Sequence, residues 1–227
     1  MDINIITDIP FQLKLEELRE ALHIKEGSKY EEKLQEYIDY ANEHGDPAAM
    51  YKESFIEEKG DKYVQIDGIK IISNSLRVNL DEAHKVYPYV ITAGEKLHNW
   101  AKTIDDMVEN YWADIIQEKV LRQAIEFFNN DLDEHYHPGK TSSVNPGSLK
   151  GWQIEGQKEL FTLLGNQHDK IGVELTDNYL MVPAKSVSGI RYPSELSFEN
   201  CQLCKMVNCP DRKVEFNQSL YDEKYSE

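Results

Sequence analysis

Three cysteines fall within nine residues, in the run Cys201-Gln-Leu-Cys204-Lys-Met-Val-Asn-Cys209-Pro210. Zinc and iron–sulfur clusters use thiolates at such close spacing, and a proline after the last cysteine also occurs in ferredoxin cluster motifs. These centres ordinarily take four ligands, so Asp211, one of His135 and His137, or an exogenous group would complete the set. Two other readings stand beside the metal or cluster: a Cys201–Cys204 redox disulfide, and ordinary thiols. His135 and His137, two apart, would reach one metal together from an extended segment. Asp105, Asp106, Glu109 and Asp114 have helical spacing, which marks a solvated face or charge compensation in a first helical turn. The nucleophile elbow, P-loop, GxGxxG, HExxH and Cys/His/Asn protease patterns are absent from the chain.

The elements that would position these groups follow from periodicity and turn chemistry. Residues 2 to 9 alternate as a short strand that Pro10 ends. Leu15, Leu18 and Leu22 give an amphipathic helix over Leu13 to Ile24. Gly27-Ser28 breaks it, and Ser28 is placed to cap a second helix to His44, with Leu34, Tyr37, Ile38 and Ala41 as its apolar stripe. Tyr63–Ile66 and Ile69–Ile72 flank Asp67-Gly68, a hairpin turn whose two central residues need positive φ. Asn79 or Asp81 is expected to start a short helix to Lys85, and Val86 to Thr92 reads as a buried strand ended by Ala93-Gly94. A helical segment follows through Trp100. Thr103 is then expected to cap the longest helix, from Ile104 to Asn130. The spacing predicts a wide buried face of Ile104, Val108, Tyr111 and Ile115, with Trp112, Ile116, Val120 and Ala124 alongside. Pro138 to Gly151 reads as a loop, and Gln157 to Leu164 as a helix beyond Trp152.

Mixed strands and long helices without a regular βαβ rhythm predict an α+β fold, a twisted antiparallel sheet with flanking helices. Residues 1–45 form a helical N-terminal arm or the edge of the main domain, 46–196 the α+β domain, and 197–227 the cysteine-containing tail.

The chain has 227 residues, 40% of them hydrophobic, and 13 tyrosines, enough for a sizeable core. No apolar run reaches the roughly eighteen residues of a membrane span, and Met1-Asp2-Ile3-Asn4 lacks the features of a signal peptide. A cytoplasmic location is the expectation. Twenty-five basic against forty-one acidic residues give a formal net charge of −16. Nucleic acid and anionic membranes repel such a surface, which argues against both as partners. Three clustered cysteines do not resemble the spread, even-numbered framework of a secreted domain.

The most distinctive stretch runs from Ile171 to Tyr192. It reads as two strands, Asn178–Val182 and Ser186–Tyr192, joined by Pro183-Ala184-Lys185. Gly189 leaves a bare position inside the second strand, which implies either a bulge or packing glycine, or a close approach by a ligand. The sequence Ile171-Gly172, Leu175-Thr176, Met181, Pro183 and Ser186-Val-Ser-Gly189 resembles the reactivation (S-adenosylmethionine-binding) domain of cobalamin-dependent methionine synthase. A weaker similarity runs through Val86 to Glu95, so that the resemblance spans about residues 45 to 195.

This resemblance implies a methionine synthase activation domain-like fold and a role in corrinoid (vitamin B12) dependent methyl transfer. An electron reduces cob(II)alamin, and the resulting Co(I) takes the sulfonium methyl of S-adenosylmethionine. The cofactors supply that chemistry, and the protein positions them. The corrinoid would reside on a partner, a corrinoid-binding protein or methyltransferase. In the family an Arg-x-x-x-Gly-Tyr loop and a tyrosine after Ser-Val-Ser-Gly grip the ligand. Here Pro146 and Gly147 are kept, Ser143 and Ser148 take the arginine and tyrosine positions, and Ile190-Arg191-Tyr192 follows Gly189. The implied ligand residues are Asn145, Pro146, Gly147, Ser188, Gly189, Arg191 and Tyr192, with Arg191 as a replacement guanidinium from the other side. Tyr179, Trp152 and Tyr192 are candidates for an aromatic rim over a corrinoid. Family members receive electrons from flavodoxin, itself acidic and poorly matched to a charge of −16. A zinc ion or iron–sulfur cluster on Cys201, Cys204 and Cys209 is the remaining cofactor expectation, and a cluster would supply the electron from within the chain. The alternative function is a non-catalytic corrinoid-protein binding module that has lost S-adenosylmethionine.

Overall fold

The apolar run from Val86 to Thr92 becomes the central strand, β6 (Lys85–Thr92), and every residue after Lys85 is buried. A strand covered on both faces reads as a continuous apolar run, as here. The structure is a computed structural model that describes residues 2–148, 151–194, 202 and 214–225. On one edge of β6 lie β2 (Ala48–Tyr51) and β3 (Ser54–Lys59), end to end. On the other lies β10 (Ser186–Pro193), from Ser186 opposite Thr92 to Arg191 opposite Tyr87. The sheet continues outward through β1 (Asn4–Ile6) beside β2, through β4 (Tyr63–Ile66) and β5 (Ile69–Ile72) beyond β3, and through β7 (Thr141–Val144) beside β10. All of these pairings are antiparallel, so the α+β expectation holds. Pro88 has no N–H to give to a ladder. Its carbonyl accepts from Lys52 N at 3.3 Å, in the break between β2 and β3, so the missing donor falls where the ladder is already interrupted.

Alternation divides β6 between two cores. Tyr87, Tyr89 and Ile91 face the C-terminal half of helix α5 (Met107–Tyr136), where they meet Ala124, Phe128 and Leu132. Val86 and Val90 face the opposite side, toward Trp152 and helix α6 (Gln157–Leu163). The N-terminal helices α1 (Leu15–Ala21) and α2 (Lys29–His44) pack on α4 (Glu95–Ala101) and the first half of α5 through Leu34, Tyr37, Leu97 and Trp112. Asp67 and Gly68 have φ of 45° and 79°, and they close the β4–β5 hairpin as expected.

Several local expectations are corrected. Helix α3 (Asn74–Asn79) ends where a helix was expected to begin, because Ser73 caps it and accepts from Leu76 N at 3.0 Å. Lys85 belongs to β6. Ser28 sits at the first cap position of α2 without a cap bond from its side chain, and Glu31 reaches back to Gly27 N instead. Asp106, not Thr103, caps α5, accepting from Val108 N at 2.8 Å and Glu109 N at 3.0 Å. The Thr103 hydroxyl donates to Trp100 O. The buried face of α5 is the stripe Trp112, Ile116, Val120, Ala124, Phe128 and Leu132, whereas Val108 and Tyr111 are 56% and 54% exposed. Two adjacent apolar stripes compete at the start of this helix; the N-terminal helices cover the one through Trp112 and Ile116, and the sheet covers its continuation from Ala124 to Leu132. The Pro138–Gly151 loop contains strand β7. The expected strand at Asn178 shortens to β9 (Met181–Val182), paired with β8 (Glu174–Leu175), because Thr176 to Leu180 closes a turn with Tyr179 at φ 61°.

Last comes helix α7 (Gln218–Tyr225). Among the described residues no helix is long and apolar enough to cross a membrane. Phe128→Ala should cost about 3–5 kcal/mol of unfolding free energy, and Val108→Ala less than about 0.5 kcal/mol, both read from urea denaturation. Comparable losses would refute the assigned face of α5.

Candidate functional site

Strand β7 stops at Val144, one residue before the turn Asn145-Pro146-Gly147, whereas β10 runs on beside β6 back to Ser186. The β10 edge is therefore uncovered at Ser188 and Gly189 by any strand, and the Asn145 side chain covers it. Asn145 Nδ2 donates to Ser188 O at 2.7 Å and to the Tyr89 hydroxyl at 2.9 Å. A Cβ on Gly189 would lie 2.5 Å from Asn145 Nδ2, 2.7 Å from Val144 O and 2.8 Å from the Tyr89 hydroxyl. Gly189 is thus a glycine because other parts of this chain crowd it, as in the packing reading.

The seven predicted ligand residues do not converge as side chains, because β10 alternates. Gly189 and Arg191 face α5, whereas Ser188 and Tyr192 face α6. The Ser188 hydroxyl donates to Gln157 Oε1 at 3.2 Å, and Tyr192 is buried with Trp152 and Leu160. Trp152 and Tyr192 belong to the core, which removes both from any exposed aromatic rim. Pro146 is buried. Gly147, at φ 79°, donates its N–H to Trp152 O, and the Ser148 hydroxyl closes the turn by donating to Asn145 O.

Arg191 stands directly across the ladder from Ser143. The guanidinium therefore rises from the neighbouring strand beside the position where the resemblance called for an arginine. Its Nε donates to Thr141 Oγ1 at 2.6 Å, and an Nη donates to Asn129 Oδ1 on α5. Tyr89 completes this polar patch. Burial pushes its phenol above the ordinary range, and hydrogen bonding to Asn145 and Ser143 and the Arg191 charge partly offset that rise. Tyr89, Asn129 and Thr141 escaped sequence reasoning. The first looks like one more aromatic in an apolar strand, and the other two lie in a helix and a presumed loop.

A separate cleft of about 350 Å³ opens at the other end of β10, lined by Glu95, His98, Asn99, His168, Asp169 and Pro183. Burial, with the Lys102 charge, holds the His98 imidazole pKa below its usual value. His135 and His137 end α5 instead of sharing an extended segment: His135 Nδ1 lies 2.8 Å from Asp131 O, and His137 is the left-handed residue that stops the helix. Among the described residues no group of three or more His, Cys, Asp or Glu could hold a metal ion. Cys201, Cys204 and Cys209 lie outside the described residues.

This architecture is that of a known structural class. The crystal structure of the MetH reactivation domain bound to AdoHcy superposes with a TM-score of 0.62, covering 89% of this chain and 82% of that one at 12% identity. At that identity the likeness shows the fold. The family model "Vitamin B12 dependent methionine synthase, activation domain" matches residues 100–199, so the resemblance carried by Ile171–Gly189 holds over that span. A comparison with curated proteins finds no match.

Gly189→Ala should destabilise the fold by about 1–3 kcal/mol, since the Val144 carbonyl cannot rotate away from a new methyl. An unchanged urea midpoint would contradict the close packing described.

Proposed function

We propose that the chain is a reactivation-type module of corrinoid-dependent methyl transfer. It would hold S-adenosylmethionine at the β7–β10 seam while a partner protein presents cob(II)alamin for reductive methylation. One observation carries this reading: Arg191 restores, from the adjacent strand, a guanidinium beside Ser143. A planar guanidinium suits the carboxylate of the methionine portion. The family match and the fold support the general kind, and the structural neighbour was crystallised with AdoHcy, the demethylated form of this ligand. No general base would be required of the protein, because the leaving group would be a neutral thioether and the partner's corrinoid would supply the nucleophile.

A second reading is a non-catalytic module that caps a corrinoid protein. Its support is the Asn145 side chain, which already satisfies the Ser188 carbonyl and fills the space over Gly189.

Calorimetric titration with S-adenosylmethionine and AdoHcy separates the two. The first reading expects binding of both ligands, weakened about 10–100-fold by Arg191→Ala, the loss typical of a charge-assisted hydrogen bond. Absence of heat and of a thermal shift at millimolar ligand would leave the capping module.

The electron source belongs to the same proposal, and it rests on the spacing of Cys201, Cys204 and Cys209 alone. An iron–sulfur cluster expects a brown protein after anaerobic reconstitution, bleached by dithionite. Zinc expects a colourless protein with one metal per chain. Anaerobic protein with neither metal and three freely titrating thiols would remove the relay.

A further inference from the structure

We propose that Asn145 occupies the ligand's own place at the uncovered edge of β10, so that a ligand amino group must displace its side-chain amide. The inference rests on the reading of the seam as an S-adenosylmethionine-class site, and it adds which group of the ligand goes where and what competes with it.

The physical case begins at the end of β7. A strand edge without a neighbour presents backbone donors and acceptors that seek a partner. Past Val144 the β10 edge exposes the Ser188 carbonyl, and the nearest available donor is the Asn145 amide nitrogen. It supplies the rung the missing strand would have made, at 2.7 Å. The same nitrogen donates to the Tyr89 hydroxyl at 2.9 Å, so one amino group serves two acceptors. Gly189 provides the room, since a Cβ there would sit 2.5 Å from that nitrogen. Arg191, two residues along β10 on the same face, is held by Thr141 and Asn129.

Anything that takes over this position must therefore bring an N–H donor to the Ser188 carbonyl and the Tyr89 hydroxyl. An amino group does so, and a carbonyl or carboxylate at that point would face an acceptor. S-adenosylmethionine and AdoHcy carry two such groups, the exocyclic amine of adenine and the α-ammonium. In the natural chain a ligand amine exchanges its bonds one for one with those of Asn145, which makes the contact nearly neutral. Without the side chain, the ligand would gain both bonds outright. Asn145 thus lowers affinity while it keeps the empty site closed, and it selects for ligands that bear an amine.

The test is calorimetric titration of the natural chain and of Asn145→Ala with AdoHcy, with thermal melting of the ligand-free proteins as the check on folding. The expected result is binding at least about tenfold tighter in Asn145→Ala, a factor in the range of one or two hydrogen bonds. The variant's melting temperature should be lower when empty and recover further on ligand addition. S-inosylhomocysteine lacks the adenine amine, and S-(5′-deoxyadenosyl)-4-thiobutyrate lacks the α-ammonium. The analogue that loses the tightening identifies the displacing group. Should both analogues keep it, no amine replaces Asn145 and the inference is overturned. If the natural chain binds AdoHcy and the variant binds equally or less tightly, the inference also fails while the ligand site stands. If neither chain binds, the proposed ligand site itself fails, and the inference goes with it. Should Asn145→Ala not fold, Asn145→Ser provides the same reading with a side chain too short to reach both acceptors.

Discussion

Strand β6 has to be satisfied on both faces and both edges at once, and the rest of the molecule is arranged around that requirement. Its two faces carry apolar side chains into separate cores, one under α5 and one under α6. Its edges need hydrogen-bonding partners along eight residues, and three different strands provide them. The one residue that cannot donate, Pro88, sits where β2 hands over to β3. A buried ladder group without a partner is costly, so these placements are tightly constrained.

The candidate site is a by-product of the same geometry. Strand β10 is long because it must cover β6, whereas β7 is short because it only needs to seal the outer half of β10. The mismatch leaves the carbonyl of Ser188 beyond the end of β7, and the chain covers it with a side chain instead of a strand. A side-chain amide can rotate away from its acceptors, whereas a paired strand cannot leave without breaking the ladder. Arg191 lies next to this point, on the face that strand alternation assigns to α5. Its lateral bonds to Thr141 and Asn129 preorganise a planar cation without burying it among hydrocarbon.

The central strand, the β4–β5 hairpin and the second helix were legible in the sequence because each has a local physical signature. These are a continuous apolar run, an Asp-Gly turn and a single apolar stripe. The run from Ile171 to Gly189 carries a resemblance that lies inside the span, residues 100–199, matched by the activation-domain family model. What escaped depends on tertiary choice. Helix α5 carries two apolar stripes, and only packing against the N-terminal helices decides that Trp112 is buried and Tyr111 is not. Thr141-Ser-Ser-Val144 looks like loop until β10 recruits it as a strand. The expected ligand residues come from the family's motif, which puts Ser188, Gly189, Arg191 and Tyr192 in one short run, yet a strand sends neighbours to opposite faces. Tyr192 therefore belongs to the core, and Tyr89, distant in sequence, joins the polar patch around Asn145.

A ligand held at the β7–β10 seam, as proposed, would perturb the N–H groups that line it. A ¹⁵N-resolved NMR titration of the full chain with AdoHcy tests this most directly, because it reads backbone amides and side-chain amide and guanidinium N–H groups together. Shifts centred on the Asn145 side-chain amide, Gly189 and the Arg191 Nε–H, fading with distance along β10, would support the proposal. Shifts confined to the cleft around Glu95 and His98, with the seam unmoved, would contradict it.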